Sequence, residues 1–127
     1  MNNNNNKLLA FISLVLSLSI IFAGTNVYAE TTFEKIKRTG KVTVGTEAAF
    51  PPFEFVEDGK IVGYGKDILD YIIADMGVEL NQLDLPWQGI LPGVLAGKFD
   101  FVATSVSIRA ERAKKYAFTV PIAEGTN

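Results

Sequence analysis

The run Thr104-Ser105-Val106-Ser107-Ile108, with an arginine following at Arg112, has the chemistry to hold a carboxylate. An apolar stretch over 99–103 delivers three hydroxyl residues to a strand end, and a short helical segment then carries Arg109, Glu111 and Arg112. Backbone N–H groups at such a turn, together with a planar guanidinium able to make two parallel charge-assisted bonds, form a carboxylate receptor. Upstream, Glu47 and Phe50 follow one β-like segment and Trp87 follows another. Read together, these groups describe a site for a small zwitterion.

Each group also has a plainer use. Arg112 serves equally as a surface arginine on a helix, Trp87 as a core plug, and Phe50 beside Pro51 as ordinary packing. An acid such as Glu47 after a strand is usually solvated. Ser107 is a fitting cap for the following helix, which is compatible with a carboxylate held at its N-terminus. Arg109, Lys114 and Lys115 make a charged helical face.

The elements that must position these groups are legible as patterns. Residues 34–39 read as a short amphipathic helix stopped by Gly40, and 41–46 as a strand of alternating β-branched residues. Pro51-Pro52 interrupts regular structure and holds Phe50 extended. Residues 53–56 and 60–62 flank Glu57-Asp58-Gly59, a hairpin turn signal. From Gly65, the apolar residues Ile68, Leu69, Ile72, Ile73 and Met76 recur at helical spacing, with Gly77 at the C-terminal cap. Residues 78–85 form the next strand, and 88–96 the next helix. Pro92 either lies beyond that helix's first turn or marks a later start near Ile90. Residues 99–103 are a third long strand, apolar enough to be buried on both faces. Residues 109–116 read as helix, and 117–120 run extended into Pro121.

Strand–helix–strand–helix–strand calls for an α/β fold with a mostly parallel β-α-β-α-β sheet and flanking helices. Ligands in such sheets bind beyond the carboxyl ends of the strands. Glu47 and Phe50 follow the first strand, Trp87 the second, and Thr104 to Ser107 the third, so the candidate groups fall on one edge.

The N-terminus reads as a leader. Met1, five asparagines and Lys7 precede an apolar run over 8–23, and Val27-Tyr28-Ala29 places small residues at the −3 and −1 positions before Glu30. These features make residues 1–29 a cleavable signal peptide. The rival reading, a permanent anchor, calls for roughly 20 apolar residues, and here a cleavage site follows at once. The sequence contains no cysteine for lipid attachment. A periplasmic protein follows, comprising residues 30–127.

That remainder holds all fourteen acids and eleven of the twelve bases, for a net charge of −3. No basic stripe suited to nucleic acid is present. Without cysteine or histidine the chain lacks disulfides, thiolate metal sites and the commonest general base, and no cofactor is implied.

The ordered motifs resemble one family, the polar amino-acid substrate-binding proteins of ABC importers (bacterial solute-binding protein family 3). Gly45-Thr46-Glu47-Ala48-Ala49-Phe50-Pro51-Pro52-Phe53 is similar to its opening segment, and Asp58-Gly59-Lys60-Ile61-Val62-Gly63-Tyr64-Gly65-Lys66-Asp67 to its second. Trp87-Gln88-Gly89-Ile90-Leu91-Pro92 resembles the third. Gly97-Lys98-Phe99-Asp100, with Thr104 to Ile108 and Glu111-Arg112, resembles the fourth. Two departures stand out: Gly65 where an aspartate is common, and Arg109 in place of a threonine-type helix cap.

The resemblance implies a two-lobe periplasmic-binding-protein-like fold, of which residues 30–127 are the first lobe, the second lying outside this chain. It implies a monomer that captures a free polar or basic amino acid and hands it to an inner-membrane permease. Arg112 would hold the α-carboxylate, helped by Thr104, Ser105 and Ser107, and part of that turn would accept from the α-ammonium. Phe50 and Trp87 would sandwich the side chain, and Glu47 would meet its distal end. Two other functions remain open on the same fold. One is a periplasmic cyclohexadienyl (arogenate/prephenate) dehydratase with Glu47 as general acid, and the other is the input domain of a receptor.

Overall fold

Two valines at alternate positions make β1 (Lys41–Thr46) the spine of the sheet, and both are fully buried. In this computed structural model, which describes Lys7 and residues 29–124, β1 runs parallel to β5 (Glu79–Asp84), Lys41 facing Glu79 through to Thr46 facing Asp84. On its other side lies β6 (Phe101–Val102), also parallel, giving the order β5-β1-β6. The expected leader, residues 1–29, lies outside the described residues apart from Lys7 and Ala29.

Helix α1 (Thr32–Thr39) starts two residues ahead of the expected 34 because Thr31 and Glu34 form a capping box. The Thr31 hydroxyl accepts the Glu34 N–H at 3.2 Å, and the Glu34 carboxylate accepts the Thr31 N–H at 2.8 Å. Gly40, at φ 65°, ends it. Ile36 packs with Val42 and Val44 and with Leu69 and Ile73 of α2 (Tyr64–Met76). Gly77, left-handed at φ 64°, closes α2 as its spacing predicts.

The opposite face of β1 is covered by α3 (Trp87–Leu95). Here the Phe99 ring is wedged between two glycines. A Cβ on Gly45 of β1 would lie 2.6 Å from that ring, and so would one on Gly93 of α3. Helix α3 begins directly after Pro86 and carries Pro92 in its interior, so the later start near Ile90 is not taken.

Between β1 and α2 the chain builds a second, antiparallel sheet of β2 (Ala49–Phe50), β3 (Glu54–Glu57) and β4 (Lys60–Val62). Asp58 and Gly59 both take positive φ, 50° and 74°, the two-residue turn that matches strand twist.

Two expectations need correction. The third strand is not a long one buried on both faces: its ladder spans Phe101–Val102, and those residues with Ala103 are half-buried. It flanks β1 on one side only, while Asp100 just before it turns its carboxylate to the Thr43 N–H at 2.8 Å and to Lys35 at 2.7 Å. The helix expected over 109–116 is a single turn, α4 (Ala110–Ala113). Arg109 occupies its N-cap in extended conformation with no side-chain cap bond, consistent with a residue type that cannot accept one.

Candidate functional site

The carboxyl ends of the three parallel strands are tied together by one buried hydroxyl. Thr46 donates to the Ala103 carbonyl at 2.8 Å and accepts from the Gln82 amide at 2.9 Å, linking β1 to both neighbours. The Leu85 N–H reaches the Thr46 carbonyl at 2.8 Å, and the Asp84 carboxylate accepts the Ala48 N–H at 3.0 Å. Directly beyond these ties the chain delivers Glu47, Trp87 and the Thr104–Ser107 turn to the same edge.

They border an open cleft of about 510 Å³, within the range of roughly 300–1,000 Å³ usual for small-molecule sites. All seven residues singled out from the sequence line it: Glu47, Phe50, Trp87, Thr104, Ser105, Ser107 and Arg112. Glu54, Gln88 and Arg109 line it as well.

Arg112 is held from two sides. Its Nη1 donates to the Ser107 carbonyl at 3.0 Å, and its guanidinium carbon sits 5.3 Å from the centre of the Trp87 ring, in cation–π range. Trp87 is therefore a half-buried cleft residue rather than a core plug. Ser107 does not cap α4; its carbonyl braces Arg112, and Arg109 takes the cap position. Phe50 stacks on Phe53 at 5.6 Å, with Tyr64 edge-on to Phe53 at 6.2 Å, while half of its surface stays exposed.

The residue the sequence reading passed over is Glu54. It is buried at 2 % exposure, and its carboxylate collects the Thr104–Ser105 turn. The Ser105 N–H donates to Oε1 at 2.6 Å, the Ser105 hydroxyl to Oε2 at 2.9 Å, and the Thr104 hydroxyl to Oε1. A Cβ on Gly65 would stand 2.9 Å from Oε2, so the glycine leaves the carboxylate its space. The available signal was an acid lodged between Phe53 and Phe55 in a hairpin strand, a placement that demands partners if buried. Arg109 also moves: expected on a charged helical face, it precedes the shortened helix and borders the cleft. The cleft thus sets two acids, Glu47 and Glu54, against two bases, Arg109 and Arg112. That balance suits a zwitterion.

Residues 42–127 match the profile of the bacterial extracellular solute-binding proteins, family 3. The L-cystine-binding protein TcyJ of Escherichia coli K12 is 35% identical over 88 residues, covering 68% of this chain and 33% of that protein. Among solved structures, the arginine-bound form of domain 1 from TmArgBP of T. maritima superposes with a TM-score of 0.65 at 41% identity, over 68% of this chain and 70% of that one. The ancestral amino-acid-binding protein AncCDT-1, described as a precursor of cyclohexadienyl dehydratase, gives 0.68 at 34% identity, over 72% of this chain and 40% of that one. The chain spans less than half the length of the curated relatives it matches. With the profile matching residues 42–127, the chain belongs to family 3 of the bacterial extracellular solute-binding proteins.

Proposed function

We propose that this chain forms the first lobe of a periplasmic receptor that captures an amino acid with a cationic side chain and presents it to the permease of an ABC importer. The observation that carries the reading is the convergence of an arginine, a hydroxyl-bearing turn, two aromatic rings and an acid on one cleft beyond the parallel strand ends. Arg112 would bind the α-carboxylate. Phe50 and Trp87 would supply contact area to the side chain, and Glu47 would meet a distal guanidinium or ammonium. A cationic ligand is supported by Glu47 and by the likeness to an arginine-bound single domain. Residues 1–29 would direct export and be removed after Ala29. No bond is made or broken in this role. Ligand would act by favouring a closed arrangement with a second lobe through differential affinity.

The test is calorimetric titration of the full chain with L-arginine, L-histidine and L-cystine. Saturable uptake of L-arginine is expected, with the other two weaker. Uptake of none of the three would overturn the reading. The likeness to AncCDT-1 favours one other outcome for check, turnover of prephenate with Glu47 as the acid. Product formation would move the chain to the dehydratases.

A further inference from the structure

We propose that Glu54 is a positioning residue that fixes the polarity of the cleft floor, holding the Thr104 and Ser105 hydroxyls as hydrogen-bond acceptors for the α-ammonium group of an amino acid. This rests on the reading of the cleft as an amino-acid site. A carboxylate can only accept, so each hydroxyl bonded to it spends its single proton on it. The Ser105 hydroxyl donates to Oε2 at 2.9 Å, and the Thr104 hydroxyl donates to Oε1, a far closer partner than the Glu47 carbonyl at 3.4 Å. The Ser105 N–H is spent on Oε1 as well, at 2.6 Å. What both side chains then offer the cleft they line is lone pairs. Of the two uses the resemblance gives this turn, helping Arg112 with the carboxylate and accepting from the ammonium, Thr104 and Ser105 would then serve the second: two acceptors backed by a buried negative charge repel an anion and attract an ammonium.

Three features show that the arrangement is built in. Glu54 is 2 % exposed, in register opposite Phe50 on the β2–β3 ladder. Among the described residues its charge is met by these three donors and by no lysine or arginine. Gly65, with no side chain, leaves room for Oε2.

This polarity has a chemical handle. In Glu54→Gln the new amide group donates where a carboxylate oxygen accepted. One hydroxyl must then accept from it and turn its own proton into the cleft, which opposes an ammonium. The experiment compares L-arginine with 5-guanidinopentanoate, the same molecule without its α-ammonium, by calorimetry on the full chain. Glu54→Gln is expected to weaken L-arginine about tenfold or more while leaving 5-guanidinopentanoate within about twofold. Equal weakening of both ligands, the mark of a merely structural role, would overturn the proposal, as would no change in either. If Glu54→Gln does not fold, Ser105→Ala removes the acceptor and keeps the N–H bond to Glu54. The same selective loss is expected, and undiminished L-arginine binding would refute it. A wild-type chain that takes up neither ligand refutes the amino-acid reading instead, and the ammonium role with it.

Discussion

Arg112 owes its place to two neighbours rather than to its helix. The Ser107 carbonyl and the Trp87 ring hold the guanidinium at the cleft, so little ordering would remain to be done for it to pair with an anion. Replacing it by alanine in the full chain should weaken L-arginine binding by on the order of 2 kcal/mol, about thirtyfold in Kd, measured by calorimetry. An unchanged Kd would remove Arg112 from the carboxylate role. At this scale the sequence was informative wherever a residue followed a strand end: all seven groups picked from spacing border one cleft. It was silent on Glu54 because that residue's burial depends on a turn fifty residues away, joined only when β6 docks on β1. It put Arg109 on the helical face, whereas the helix starts after it at Ala110, with Arg109 as an N-cap that makes no side-chain cap bond.

The elements that hold the cleft edge in place depend on close packing around β1. Phe99 is 5% exposed and its ring fills the gap between Gly45 and Gly93, so neither glycine can grow without the ring moving into backbone or helix. Gly45→Ala should therefore cost about 1–3 kcal/mol and lower Tm by several degrees. A Tm equal to wild type would mean that the ring has room to shift. On the far end of the same strand, Asp100 joins α1 to β1 through Lys35 and the Thr43 N–H. Burial pushes its carboxyl up, but the Lys35 bond, the Thr43 bond and the Lys35 charge together hold it below the ordinary value of 3.8. A carboxyl lowered on folding stabilises the native state above its unfolded value, and that contribution is lost as pH falls through the folded one. Wild type should thus outlast Asp100→Asn in thermal melts at neutral pH, with the gap shrinking below about pH 4. A gap constant from pH 7 to pH 3 would refute the linkage. Strand and helix identities were legible from periodicity and from capping glycines. Their lengths were not, since β6 was read from apolarity alone, whereas the ladder depends on which neighbours it meets.

For the whole molecule, the doubly covered sheet and the cleft at its carboxyl edge fall within one compact unit that begins at Thr31, and the cleft's lining comes from that unit's own strand ends. Fold class and family were legible from the order of four motifs. The ligand was not, because the motifs carry the cleft groups that the family shares, whereas selectivity among amino acids would turn on contacts to the distal side chain. The sequence contains a single tryptophan, and Trp87 stands at the cleft against Arg112. Its fluorescence emission, followed while L-arginine is added to the full chain, is the measurement to make first: a saturable change is expected, and flat emission accompanied by no binding heat would contradict an amino-acid site in this cleft.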